Sequence, residues 1–384
     1  FFKQKTAYEI STRDWSSDVC SSDLWNPQYF RQRHGGAIPM RGWDAVTVPG
    51  AVAGWVALSE RFGKLPFADL LQPAIELAER GYGVGPVTAE KWAAAVPLLQ
   101  EQPGFAAAFM PRGRAPGVGE RFVFAEAGAT LRKIAATRGE AFYRGEVAQA
   151  LAEHARANGG SMTLADLAAY RPKWVETISK DYAGHTLHEI PPNGQGIAAL
   201  MALGLLDQMD LARFAPDSVE SQHLQIEAMK LAFADVYRWV ADEEHMTTVR
   251  PAHLLDPGYL RERARLIDPR RATDFAHGQP PAGGTIYLTA ADEHGMMVSL
   301  IQSNYMGFGS GIVVPGTGVS LQNRGHCFTV DESHPNVVGG GKRPFHTIIP
   351  GFLMKQGQPA MSFGVMGGNM QPQGHVQTLM RMLT

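Results

Sequence analysis

The residues with the most chemical promise are Gly283-Gly284-Thr285, a hydroxyl side chain after two glycines at the start of an alternating apolar run. If Thr285 Oγ attacks the Gly284 carbonyl, an N→O acyl shift gives an ester, and hydrolysis of that ester frees an α-amine on Thr285. An α-amine has a reference pKa of roughly 8, far below a lysine, so at neutral pH it can act as base for its own hydroxyl. Glycine at position 284 removes side-chain bulk from the attack geometry. Alone, such a triplet at a strand start is more often an ordinary turn. Acyl transfer also needs a site for the developing oxyanion. Gly367-Gly368, between an apolar strand and a helix, can aim backbone N–H groups at it, although an ordinary strand–helix turn reads the same way.

The elements expected to position these residues follow from local patterns. Thr285 to Ala291 and Met296 to Asn304 read as strands joined by Asp292-Glu293-His294-Gly295, a turn with glycine where positive φ is wanted. Strands are expected at His346–Met354 and Pro359–Met366 around Lys355-Gln356-Gly357-Gln358, then a helix from Gln371. Trp174 to Ile190 reads as two strands around Asp181-Tyr182-Ala183-Gly184, and Pro191-Pro192-Asn193-Gly194-Gln195-Gly196 turns into an apolar helix. Upstream the pattern is helical: Leu71 to Gly81 with Pro73 in its first turn, Glu126 to Thr137, Gly145 to Ala157, and a short helix opened by a capping box at Thr163-Leu164-Ala165-Asp166. The longest helix is expected after Asp217 with Glu220 at the capping-box position, and with His223, Glu227 and Lys230 on a solvated face. Arg270 to Gly284 reads as an exposed linker, ending in His277-Gly278-Gln279-Pro280-Pro281-Ala282-Gly283-Gly284.

Composition narrows the classes. The chain has 384 residues, net charge −2 and 45% apolar residues, enough to bury a large core. The neutral balance argues against nucleic-acid binding, and no apolar run approaches the ~18 residues of a membrane span. Two cysteines make neither a disulfide scaffold nor a multi-cysteine zinc module. No HExxH or CxxC occurs, and no metal or cofactor is expected; a zinc amidase is a reading that bound metal would revive. Gly339-Gly340-Gly341-Lys342-Arg343 lacks the first glycine and the Ser/Thr of a phosphate loop. Gly307-Phe308-Gly309-Ser310-Gly311 precedes Ile312-Val313-Val314-Pro315 rather than a helix. Phe1–Leu24 lacks a signal-peptide pattern. It resembles translated sequencing-adapter read-through, a disordered natural tail being the other reading. On the first reading Cys20 is foreign, Cys327 is the single native cysteine, and the chain is the middle of a longer protein.

The run Gly284, Thr285, Asp292, Gly295, Gln302-Ser303-Asn304-Tyr305 and Phe308-Gly309-Ser310-Gly311-Ile312 closely resembles the gamma-glutamyltransferase family. So do Leu321-Gln322-Asn323-Arg324, Gly341-Lys342-Arg343-Pro344 with His346-Thr347 and Pro350, and Gly364-Val365-Met366-Gly367-Gly368. Val46 to Trp55 and Phe142-Tyr143-Arg144-Gly145 add to the match, which runs in order from about Arg41 to the end. The resemblance implies an α+β fold, a four-layer αββα sandwich of the N-terminal-nucleophile hydrolase type. It implies cleavage between Gly284 and Thr285, a large-subunit part over 25–284 and a small-subunit part over 285–384. The two parts would remain together, with a homodimer of the pair left open. Thr285 would be the nucleophile, Ser303 its hydroxyl support, and Gly367 and Gly368 the oxyanion pair.

In the substrate pocket this chain has Tyr305 where the glutathione-processing pattern has Asn. Cys327 stands where that pattern has an acidic residue for the α-amino group, and His346 and Thr347 replace its paired serines; Arg324 belongs to the same set. These departures argue against standard gamma-glutamyl specificity and resemble the gamma-glutamyltransferase-like branch of amidases and acylases. The expected substrate is a small amide carrying a gamma-glutamyl or related acyl group. The alternative is an uncleaved, inactive member acting as a binding protein. The compartment is open, with bacterial cytoplasm favoured over periplasm.

Overall fold

The computed structural model describes residues 24–275 and 284–383; residues 1–23 of the leader, with Cys20, and residues 276–283 of the linker expected from Arg270 to Gly284 lie outside them. The protein is α+β. Its central sheet has four antiparallel strands, β1 (Ile178–Tyr182), β2 (His185–Glu189), β5 (Gly351–Lys355) and β6 (Gln358–Phe363), in the order β6-β5-β2-β1. The two-residue loops Ala183-Gly184 (φ 47° and 72°) and Gln356-Gly357 (φ 51° and 74°) fit tight hairpins whose twist requires positive φ at both positions. β2 pairs with β5 from His185↔Lys355 to His188↔Phe352. Strands from before and after Gly284 therefore share one sheet.

One face of the sheet carries helices. α3 (Gly196–Leu206) is buried at every residue, because it is sandwiched between β1 and β2 on one side and α4 (Val219–Trp239) and α5 (Gln371–Leu383) on the other. That explains why its sequence is apolar all round rather than amphipathic. Two further helices, α1 (Ala51–Phe62) and α2 (Ala125–Thr137), belong to the helical region preceding the sheet. There Trp43, Val52, Ile134, Phe142 and Leu151 form a second core.

The hairpin β3 (Gly284–Ala291) and β4 (Met297–Tyr305) lies against β6. Asp292 Oδ1 accepts from His294 N and Met296 N, both at 2.9 Å, and Gly295 takes φ 83°, as its turn demands. Ser299 Oγ donates to Gly351 O at 2.9 Å, and the Thr289 and Ser362 hydroxyls are hydrogen-bonded.

Several local expectations shift. The helix expected from Leu71 runs from Phe67 to Arg80, so Pro73 lies inside it. The strand expected from His346 starts only at Gly351, because His346 to Pro350 are held by single bridges and side chains, and β6 ends at Phe363. Helix α4 is capped by Ser218, whose side chain accepts from Ser221 N, so Glu220 is not a capping-box partner. Its charged face is only partly solvated, with His223 and Lys230 partly exposed. Glu227 is buried, pairs with Lys230 Nζ at 2.7 Å and accepts from Thr273 N at 2.9 Å, while His223 Nε2 donates to Asp268 O. The chain leading toward the linker covers it. The capping box at Thr163 and Asp166 forms as expected.

Candidate functional site

Thr285 opens β3 opposite an irregularity in its partner. The ladder pairs Gly284 with Tyr305 and then Ile286 with Gln302, so the single residue Thr285 faces Ser303 and Asn304 together. Such a bulge re-aims side chains. Here Thr285 Oγ1 donates to Ser303 Oγ at 3.2 Å, and the same oxygen accepts from Tyr305 N at 2.9 Å. Ser303 is buried, so its hydroxyl is held by the strand end and presented to Thr285.

The glycine pair sits at the N-terminal end of α5, where Gly367 (φ 139°) and Gly368 (φ 63°) lead through a single 3-10 turn into the helix. A Cβ on Gly367 would lie 2.7 Å from Met370 Cγ, and both φ values disfavour any L side chain. Among the described residues neither N–H donates a hydrogen bond. Thr289 meets Ser362, and a Cβ on Gly364 would fall 2.5 Å from the Tyr287 ring. Contacts between the β3 hairpin and the chain leading to the glycine pair thus reach Ser362 and Gly364.

What holds the turn is Gln195, which sequence patterns did not single out as functional. It is fully buried, and its Nε2 donates to both Gly368 O at 2.9 Å and Thr347 O at 2.6 Å. Its position in the Asn193-Gly194-Gln195-Gly196 turn was the only signal, and the partners are more than 150 residues away. Asn369 adds a second tie, donating to the Tyr237 hydroxyl at 2.7 Å.

The candidate substrate residues split into two groups. Arg324, Tyr305, Cys327 and Thr347 come together. The Arg324 guanidinium lies 4.9 Å from the centre of the Tyr305 ring, and its Nη1 donates to Thr347 Oγ1 at 3.0 Å. Burial pushes the Cys327 thiol up, although the Arg324 charge pulls it down; burial and then Cys327 push the Tyr305 hydroxyl up as well. Both are therefore protonated at neutral pH. His346 is buried against the Pro191–Gly196 turn instead. A Cβ on Gly194 would lie 2.8 Å from its Cε1, and its backbone bonds Asn193 O and Gln195 N.

A cavity of about 240 Å³ is lined by Val52, Trp55, Leu131, Phe142, Ser303 and Asn304, among others. Several polar groups in its wall are satisfied within the protein: Trp55 Nε1 donates to Gln302, Thr130 to Thr317 O, and Gln322 to Thr47. The cavity therefore offers a mainly apolar surface beside Ser303.

Comparison with known proteins bears on this arrangement. The family model described as gamma-glutamyltranspeptidase matches residues 3–384. The chain is 37% identical over 359 residues to the glutathione hydrolase-like YwrD proenzyme of Bacillus subtilis, covering 90% of this chain and 66% of that protein. It is 37% identical over 351 residues to the oxamate amidohydrolase proenzyme of Klebsiella pneumoniae, covering 90% of this chain and 65% of that one. Among solved structures, the cephalosporin acylase from Bacillus halodurans superposes with a TM-score of 0.87 at 43% identity, over 96% of this chain and 68% of that one. The chain thus spans slightly less than two thirds of the length of these two curated relatives.

Proposed function

Because the chain belongs to the gamma-glutamyltranspeptidase family, we propose that it is the core of an amidase or acyltransferase that matures by cleavage between Gly284 and Thr285 and works through an acyl-Thr285 ester. In maturation Thr285 Oγ attacks the Gly284 carbonyl carbon, the C–N bond breaks, and water hydrolyses the resulting ester. Gly284 is left as a carboxylate and Thr285 with a free amine. Residues 25–284 and 285–384 are then parts of a large and a small subunit within a four-layer αββα sandwich. The parts stay associated because β5 is hydrogen-bonded to β2, joining the β6-β5 and β2-β1 hairpins in one sheet.

In turnover the Thr285 amine takes the hydroxyl proton while Oγ attacks the substrate amide. The tetrahedral oxyanion lies against the Gly367 and Gly368 N–H groups, which among the described residues donate to no partner and so suit a charge that exists only transiently. The proton passes to the leaving amine as its C–N bond breaks. Water, or an acceptor amine, then attacks the acyl ester. Ser303 is a positioning residue in this scheme, orienting the Thr285 hydroxyl before attack. No step requires a cofactor.

The observation that carries the reading is the 3.2 Å hydrogen bond from Thr285 Oγ1 to Ser303 Oγ at a strand bulge. The names of the relatives, a glutathione hydrolase-like proenzyme and an amidohydrolase proenzyme, support processing and amide chemistry. The test is Thr285→Ala: the unsubstituted protein should yield two fragments on a denaturing gel and cleave a chromogenic amide, and the variant should do neither. A Thr285→Ala protein that still splits at this point refutes the assignment. An intact but amide-binding natural protein would favour the non-catalytic alternative.

A further inference from the structure

His223, Glu227 and Lys230 have no part in the acyl chemistry, yet all three hold one segment of chain. They recur four and three residues apart, on one side of α4. His223 Nε2 donates to Asp268 O at 2.8 Å, and Glu227 Oε2 accepts from Thr273 N at 2.9 Å. Lys230 Nζ donates to Glu227 Oε1 at 2.7 Å and lies 5.5 Å from the centre of the Phe275 ring, which packs against the core. Glu227 is 1% exposed, and each of its carboxylate oxygens takes one of these donors. A hydrogen bond to a charged group is strong enough to shift the ratio of docked to released segment roughly ten- to a hundredfold. The held residues, 268–275, directly precede the eight residues 276–283 that lead to Gly284.

We infer that this face of α4 is a clamp that positions the chain for self-cleavage between Gly284 and Thr285, with Glu227 as its central positioning residue. The inference rests on that cleavage being the maturation step. In it Thr285 Oγ meets the Gly284 carbonyl carbon; the O–C bond forms, the C–N bond breaks, and the Oγ proton passes to the freed amine. The ladder with β4 fixes the Thr285 side of the peptide, and the clamp fixes the chain eight residues before Gly284. The next buried anchor upstream is Ile267, so releasing the clamp lengthens the stretch before Gly284 from eight residues to the sixteen of 268–283. The chance that a chain brings its ends together falls as about the −3/2 power of its length, so this doubling slows cleavage about threefold. Turnover should not feel the change. Once the peptide is cut, the clamped segment no longer joins Thr285. Among the described residues, none of the three side chains bonds Thr285, Ser303 or the glycine turn. Tyr237, the α4 residue that ties Asn369, lies about 15 Å along the helix from Glu227.

The experiment times maturation and turnover separately. The full chain is made by cell-free translation with a pulse of radioactive methionine, and its conversion to two fragments is followed on a denaturing gel. The matured proteins are then compared in hydrolysis of a chromogenic anilide. Glu227→Ala should mature about threefold or more slowly than the unsubstituted chain. Glu227→Gln, whose side-chain carbonyl can still accept from Thr273 N, should recover most of that rate. Once matured, all three should share kcat and KM within about twofold. Glu227→Ala that matures at the unsubstituted rate overturns the clamp. So does matured Glu227→Ala whose kcat has fallen as far as its maturation rate, because that marks general loosening. If Glu227→Ala does not fold, Phe275→Ala, which loosens the clamp from the segment's side, decides: slowed maturation supports the clamp and a normal rate refutes it. An unsubstituted chain that never cleaves refutes the maturation reading and the clamp with it, whereas cleavage at one rate in every variant refutes the clamp alone.

Discussion

Replacing Gln195 with leucine should separate positioning of the glycine turn from general stability. Gln195 Nε2 is the one side-chain donor seen to bridge Thr347 O at 2.6 Å and Gly368 O at 2.9 Å. Leucine has similar bulk and no donor, so the substitution removes two buried hydrogen bonds and leaves two carbonyls without that partner. At a net ~1 kcal/mol per bond, with part of a ~1–3 kcal/mol desolvation penalty for each orphaned group, the loss of folding stability should be about 2–4 kcal/mol. The effect on chemistry is distinct. Once the Gly368 carbonyl is released, the peptide planes at Gly367 and Gly368 can rotate. Misaligning one oxyanion donor costs on the order of 10²-fold in kcat. Because the oxyanion exists only in the transition state, kcat should fall about 10- to 100-fold with KM nearly unchanged. The assay is steady-state anilide hydrolysis well below the melting temperature, paired with denaturant unfolding of the same preparation. A protein that loses the expected stability yet keeps kcat within twofold would show that Gln195 only holds the fold, and that the oxyanion turn does not depend on it.

Two further substitutions probe neighbouring groups. Ser303→Ala strands the Tyr305 N–H and frees the Thr285 hydroxyl; a loss of ~1–3 kcal/mol in stability and about tenfold or more in kcat is expected, with Ser303→Thr near normal. Unchanged kcat in Ser303→Ala would remove Ser303 from the positioning role. Glu189 and His375 form a fully buried pair at 2.6 Å between β2 and α5. Burial holds the Glu189 carboxyl above its reference value of 4.5, and His375 only partly offsets this. A raised folded-state pKa contributes stability that is present below about pH 4.5 and is lost as pH rises through the raised value. Denaturant midpoints of the unsubstituted protein should therefore drop across that interval, and Glu189→Gln should flatten the drop. Identical pH profiles for the two proteins would contradict it.

Wherever the determining physics is local, the residues could be read in order along the chain. The glycine-bearing turns at 184, 295 and 357 need positive φ, which glycine adopts freely, and they mark three hairpins that form where expected, although the strands around 357 are shorter than expected. The Thr163–Asp166 capping box is a four-residue signal. The candidate nucleophile and glycine pair could be singled out for the same reason, because a hydroxyl after Gly-Gly and a double glycine before a helix carry their proposed chemistry in adjacent residues. Local reading failed where distant chain covers a surface. Glu227 sits on a helix face that looks solvated until residues 268–273 fold over it. The strand expected from His346 gives way to contacts with Asn193, Gln195 and Arg324. Sequence by itself thus identified the family and pointed to a candidate hydroxyl and a candidate glycine turn. Only the tertiary structure decided that Gln195 holds that turn from 173 residues away and that Arg324 is buried with no carboxylate partner among the described residues. The reason is physical: backbone preference acts over a few residues, whereas burial and the pairing of polar groups depend on which distant segments the core brings together.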